Sequence, residues 1–498
     1  MFLVPLGFAL VLRAHQALAS PDVLDWDETY YLNAAVTAAD GRGLYPYIFG
    51  YAPMPVVGGF GYAVYVYALA VRLFGPSLLV LRVLSLLASV AALAGIWHLV
   101  RVWYGSGAAW IATALTASSS LFMLSNSARM DSWTFGYVAW ALVLFASAFQ
   151  RWHSRRLHVL AGLVFGLGLQ FHPDAIVTAL ACGLVYVGAW ARESIRARRL
   201  AVPAQPLLYL AGWAIGLFVF VFANVLPDPA GFYKTTLLVR VDATAWYSKG
   251  TSSVFASFLD PRILLAKETA RYALLARTVP AVEIALVAAA IAAAVVRRSA
   301  ADRVVLALIP AVIAATAIVL NNATPLYFIH VAPALMVPLG ALFAQGLGGR
   351  APTATAQLRA GALAAFAVAV AALAGANDGP LVRALGRTPP EDQAARAFAE
   401  RVRESVEARC RIAADATFYV RYFAGYPYFV SSRPSEVRYA MLFFGMTSEP
   451  DYWALKRPDV VFGPGPLPPA LAAYVSANGF SERAAGVWAR REGCAGGP

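Results

Sequence analysis

The chain has 498 residues, 60% of them hydrophobic and only 13% charged, with a net charge of +13. A soluble domain carries roughly 25% charged residues, so this composition excludes a soluble globular protein and points to one that crosses a membrane many times. The excess Arg and Lys fall in short clusters between apolar runs, as in positive-inside loops, which excludes nucleic acid as a partner, and three cysteines (Cys182, Cys410, Cys494) exclude a disulfide scaffold or a CxxC metal site.

In chain order, residues 2–18 predict a first transmembrane helix. They do not read as a cleaved signal, because no small-residue cleavage pattern stands out and Arg13 sits late in the run. Three carboxylates follow in Asp25-Trp26-Asp27-Glu28. Asp25 with Glu28 three residues on fits an N-cap and capping box. Tyr31, Leu32, Ala35, Val36 and Ala39 then form a helical stripe that stops at Asp40-Gly41. The loop over residues 20–77 is therefore expected to hold amphipathic helices resting on the membrane. Residues 56–74 carry Gly58, Gly59, Gly61 and several tyrosines, and are expected to lie along the surface without crossing.

Apolar runs near 78–100, 107–125, 133–149, 158–171, 175–191, 206–226, 280–296, 304–320, 325–346 and 358–376 complete about eleven expected spans. The basic clusters at Arg151–Arg156, Arg192–Arg199, Arg297–Arg303 and Arg350–Arg359 mark the inside. Alternation then puts the N-terminus inside. Asp25 to Glu28, Arg129-Met130-Asp131, His172-Pro173-Asp174, the 227–279 loop and everything after Asn377 fall outside. No internal repeat is visible, which weighs against a transporter built from inverted halves. After Asn377 the apolar runs shorten and Arg, Glu and Pro rise. Pro389 to Arg409 and Pro469 to Asn478 predict helices, and Arg411 to Ala414 and Asp459 to Phe462 predict strands. The expected organisation is a helical membrane domain over 1–377 and a small extracytoplasmic α/β domain over 378–498, in a multi-pass protein of the cell (plasma or inner) membrane. Cys410 and Cys494 both lie in the second domain, where they could pair or remain thiols.

The residues that could do chemistry gather in the outer loops. Acids at a membrane boundary are costly and usually functional. Crowded carboxylates raise one another's pKa, which suits a general base. Asp27 and Asp131 are expected to converge on one outer cavity, with Arg129 reading a phosphate. The bland alternative is that the acids only cap helices. His172 is a candidate for a phosphate or sugar hydroxyl, although Pro173 and Asp174 equally suit a helix stop and start. Tyr327 and His330 open a late span, where His330 is either a site residue or a satisfied buried histidine. Lys234 and Lys249 belong to a basic outer loop that departs from the positive-inside trend and suits an anionic headgroup or sugar-phosphate.

These residues resemble the GT-C superfamily of membrane glycosyltransferases. The likeness lies in Asp27-Glu28 after the first span, in Gly43-Leu44-Tyr45-Pro46-Tyr47 in the loop, and in Ala128-Arg129-Met130-Asp131 in the next outer loop. Tyr327 to Pro338 is similar to a late span of the branch that holds protein O-mannosyltransferases and aminoarabinose transferases. The resemblance covers roughly residues 1–350. It implies a polyprenyl-phosphate sugar donor, a lipid, protein or glycan acceptor, and transfer on the outer face, usually with inversion. By position, Asp27 would be the base, Glu28 would orient it, and Asp131 would be the second-loop acid. His330 stands where relatives commonly have Arg. Metal use differs among relatives, so a divalent metal is compatible with the sequence but has no signature beyond the acids. A lipid-linked glycan polymerase or ligase, a transporter and a non-catalytic scaffold are the rival classes.

Overall fold

The computed structural model describes residues 3–19, 26–41, 61–120, 128–172, 174–199, 202–227, 229–232, 260–320, 332–347, 356–377, 393–407 and 410–494, the last with gaps at 427, 435, 438–440, 442–447 and 464. Each apolar run carries a helix over part of its length. Among the described residues, five helices are long and apolar enough to cross a membrane by themselves: Leu78–Tyr104, Asp131–Gln150, Ala175–Ala197, Ala204–Val225 and Ala300–Val319. Leu207, Ile215, Phe218 and Phe222 stand exposed along Ala204–Val225. That many large apolar side chains on one surface identify lipid, not water, as the solvent.

Glycines set the closest crossing. Gly162 and Gly166 on Arg155–Leu167 face Gly212 and Gly216 on Ala204–Phe220. A Cβ on Gly162 would strike Tyr209 O, and one on Gly212 would strike Val159 O. Glycines four apart on both helices let the backbones touch, which is how helices associate where lipid removes the hydrophobic drive.

The helix ends sort into two sets. At one end Tyr104 Oη donates to Asp302 at 2.9 Å and Arg297 Nη2 to the same carboxylate at 2.8 Å, while Gln150 donates to Val102 O. At the other lie Glu28, Arg82 and Asp131, together with Glu283, which accepts from Ser120 N at 2.9 Å, and Asn377, which donates to Ser118 O at 2.9 Å. This second set is called the acidic end below. There Pro261–Thr278 meets Ala281–Arg297 at a bend of 114°. Its Lys267 and Arg271 donate to Ala317 O and Leu320 O, the orphan carbonyls that finish Ala300–Val319. Two cations of the basic 227–279 loop thus cap a helix.

Helix Gly61–Phe74 has 14 residues. At 1.5 Å per residue this described part is about 21 Å long. Tyr65, Leu69 and Leu73 form an exposed stripe on it, while Tyr67 points inward. A helix at lipid-headgroup depth has this pattern. Helix Trp26–Ala39 corrects its expectation. It does not rest on lipid: Glu28 to Val36 are buried without a break. It is roofed by the C-terminal domain, and Tyr30, Leu32 and Val36 share one apolar core with Val64, Met130, Phe418 and Phe462.

The C-terminal domain holds a five-stranded sheet. Ile412–Ala414 lies between Phe429–Ser431 and Val460–Phe462, parallel to both, and the hairpin Phe480–Ala484 and Val487–Arg490 extends it antiparallel beyond Val460–Phe462. The predicted strands and the Pro469–Ala477 helix are present, and Gln393–Ser405 lies inside the predicted 389–409 helix. Cys410 and Cys494 form a disulfide with Cα atoms 5.1 Å apart, across 84 residues. Closing a loop of that length stabilises a fold by about 4–5 kcal/mol in the chain-entropy account. Burial pulls the Lys456 ammonium down to about 7. In the unfolded chain it titrates near about 10.4, so between these values the unfolded state binds more protons and stability rises with pH. Thermal unfolding of the C-terminal domain should therefore shift upward from pH 7 to pH 9. Lys456→Met should remove that rise; an undiminished pH dependence in the variant would assign it to other groups.

Candidate active site

Helix Trp26–Ala39 puts Asp27 and Glu28 in its first turn, and Asp131–Gln150 opens on Asp131. Both helix N-termini favour carboxylates. The loop before Asp131 brings Arg129 between the two. Its Nη1 pairs with Asp27 Oδ2, and its Nε donates to Asp131 Oδ2 at 2.6 Å. One guanidinium thus bridges two acids that are about a hundred residues apart in sequence. Their mutual repulsion is offset, and the trio carries one net negative charge.

Glu28 does different work. Arg82 Nε and Nη2 grip it bidentately at 2.9 and 2.7 Å, and Ala128 N donates to its Oε1 at 2.7 Å. The pair ties the helix bearing Asp27 to Leu78–Tyr104 and to the loop that carries Arg129. Both partners are buried, so this is a fastening and not a surface ion pair.

Tyr67 sits behind the loop. Its hydroxyl lies 2.6 Å from Ser85 Oγ, receives Trp133 Nε1–H at 3.0 Å and reaches Arg129 O at 3.5 Å. Tyr30 and Tyr31 flank Asp27. Burial, and after it the Asp27 charge, raise both phenols well above their ordinary range. They remain protonated near neutral pH and can donate hydrogen bonds but not accept a proton. The side chain of Asp27 is 14% exposed, against 1% for Asp131 and 0% for Glu28. Of the three carboxylates it is the one an incoming hydroxyl can reach.

Asp27, Arg129 and Asp131 are therefore brought together, with Glu28 beside them on its own cation. His172 sits at the same end, after Gly168–Gln170, and its Nδ1 accepts from Asp174 N at 3.1 Å within its own turn. Tyr327, His330, Lys234, Lys249, Asp25 and Gly43 to Tyr47 lie outside the described residues. The sequence reading missed Arg82, Tyr67 and Trp133. Arg82 had a signal: it is a lone charge early in an apolar run and needs a partner. Among the described residues no group of three or more His, Cys, Asp or Glu is arranged to hold a metal ion.

Residues 62–224 match the family model of dolichyl-phosphate-mannose-protein mannosyltransferase, about a third of the chain that includes Arg82, Arg129 and Asp131. The fold is similar to that of ArnT from Cupriavidus metallidurans bound to undecaprenyl phosphate, with a TM-score of 0.59 at 16% identity over 98% of this chain and 97% of that one. The fold is of the GT-C type. The Archaeoglobus fulgidus oligosaccharyltransferase tethered with an acceptor peptide is also similar, with a TM-score of 0.51 at 15% identity over 87% of this chain and 64% of that one. So is the archaeal oligosaccharyltransferase AglB from the same organism, in complex with an inhibitory peptide and a dolichol-phosphate, with a TM-score of 0.50 at 16% identity over 86% of this chain and 63% of that one. No curated protein sequence matches the chain significantly.

Proposed function

We propose that the chain transfers a sugar from a polyprenyl-phosphate donor to an acceptor hydroxyl on the extracytoplasmic face of the cell membrane, with Asp27 as general base. The carrying observation is that Asp27, alone of the three clustered carboxylates, is partly open. The acceptor O–H gives its proton to Asp27 while its oxygen attacks the anomeric carbon from the side opposite the phosphate. The bond from that carbon to the phosphate oxygen breaks, its electron pair leaves with the polyprenyl phosphate, and the configuration inverts. Polyprenyl phosphate is a good leaving group, so a base and cations around the phosphate suffice. Asp131 and Arg129 hold Asp27 in place, and Glu28 with Arg82 sets its helix. Lys234, Lys249, His172, Tyr327 and His330 are the proposed contacts to the donor phosphate and sugar.

The reading of a membrane domain over 1–377 and an extracytoplasmic domain over 378–498 is part of this proposal. It is supported by the Cys410–Cys494 disulfide, a bond that persists outside reducing compartments. The bound undecaprenyl phosphate of the similar ArnT and the dolichol-phosphate of the similar AglB support a polyprenyl-phosphate donor. The test is mass analysis of lipids that co-purify with the protein, followed by transfer assays with the lipid found. A polyprenyl-phosphate sugar is the expected result. A lipid pyrophosphate-linked glycan chain extended by the protein would instead select the polymerase or ligase class.

A further inference from the structure

At the end of the bundle opposite the acids lies an open cleft of about 480 Å³, lined by Phe149, Trp152, Ala189, Arg192, Glu193, Arg196 and Ala197. Arg192 and Arg196 are four apart on Ala175–Ala197, so they stand on one face of its last turns. On that helix Arg192 stands 18 residues beyond Asp174, which separates it from the His172–Asp174 turn by about 27 Å along the axis. The cleft is thus unrelated to sugar transfer.

We infer that this cleft binds the headgroup of an anionic phospholipid from the leaflet opposite the active site. Three observations carry this. The first is charge: the lining has two guanidiniums against one carboxylate, and Arg155, Arg156, Arg198 and Arg199 stand exposed close by in sequence. Guanidinium groups bind phosphate oxygens with charge-assisted hydrogen bonds. The second is depth. Ile195 is 76% exposed and Val202 79%, set among these arginines. Large apolar side chains interleaved with arginines belong where headgroups meet acyl chains, and Trp152 is the residue type that favours that layer. The third is the path of a chain. Leu184 and Gly188 precede Arg192 at successive intervals of four on the same helix, Leu184 is exposed, and nothing fills the space beside Gly188. The cleft therefore continues into an apolar track on the lipid-facing side. A soluble acidic peptide or a free phosphate would use the arginines and leave that track empty.

Native mass spectrometry of the full chain in detergent tests this, with short-chain phosphatidylglycerol, phosphatidylcholine of the same chain length, and inorganic phosphate as probes. Phosphatidylglycerol should bind on the order of tenfold more tightly than phosphatidylcholine. Arg192→Ala with Arg196→Ala should erase that preference. Gly188→Trp, which blocks the track with the charges intact, should weaken both lipids. The inference is overturned if the two lipids bind equally to the unaltered protein, if the double variant keeps its preference, or if inorganic phosphate displaces phosphatidylglycerol at comparable concentration. Because Arg192 and Arg196 are exposed, their loss leaves the packed interior untouched. The readout does not depend on transfer, so it stands apart from the fate of the proposed reaction.

Discussion

Asp27→Asn should lower sugar transfer by about 10²–10⁴-fold while leaving the protein folded and its donor bound, since that is the usual cost of losing a positioned base. Asn keeps the shape and a hydrogen-bonding oxygen toward Arg129 but cannot take the acceptor's proton. The buried partner of that guanidinium, Asp131, is untouched, so Arg129 stays anchored by its 2.6 Å contact. The check is turnover of a short-chain polyprenyl-phosphate sugar, with donor binding measured separately. Near-normal turnover would remove Asp27 as the base. Arg129→Ala is a poorer probe of phosphate recognition than its place in the sequence suggests. Removing the cation would set Asp27 beside a buried Asp131 with the bridging charge gone, and would change the base as well as the donor site.

The larger stability effect belongs to the second ion pair. Arg82→Met should destabilise the protein by about 3–5 kcal/mol, the typical result of stranding one member of a buried pair. Glu28 would keep the Ala128 amide but lose both arginine hydrogen bonds in a site with no solvent. Removing both charges together, as Glu28→Leu with Arg82→Met, should recover much of that loss, because two apolar groups leave nothing charged behind. Transfer should stay low in both variants, since the helix that presents Asp27 is no longer held to residue 128. Thermal unfolding in detergent beside the transfer assay separates the two effects. A double variant no more stable than Arg82→Met would show that the pair is not the fastening described here.

Much of this protein was legible from one dimension, because a bilayer imposes its rules locally. The apolar runs and Arg clusters determined where helices would form and which loops share an end. A spanning helix must satisfy its backbone within itself, and loop charge sets its direction. The position of the Asp27-Glu28 and Arg129-Asp131 motifs, each beside a span, also determined that two distant loops carry acids at one end. Strands of the C-terminal domain at Ile412–Ala414 and Val460–Phe462 were readable as short apolar runs, whereas the Phe480–Ala484 and Val487–Arg490 hairpin was not, since its exposed face mixes Arg, Glu and Ser with the apolar residues.

Partnership was decided only by the tertiary structure. Asp27 and Glu28 are adjacent and chemically alike, yet one meets Arg129 and the other Arg82, because neighbouring helix positions point about 100° apart. The same rotation leaves Asp27 partly open and seals Glu28, which distinguishes a candidate base from a structural anchor. The helix they begin read as a surface-lying amphipathic segment. From Glu28 to Val36 it is buried on every side because the C-terminal domain, encoded some four hundred residues later, closes over it with Asn33 donating to Tyr419 Oη at 3.4 Å. A hydrophobic stripe shows that a helix has a face to bury. What covers the remaining sides depends on long-range packing, which leaves no periodic trace in the segment itself.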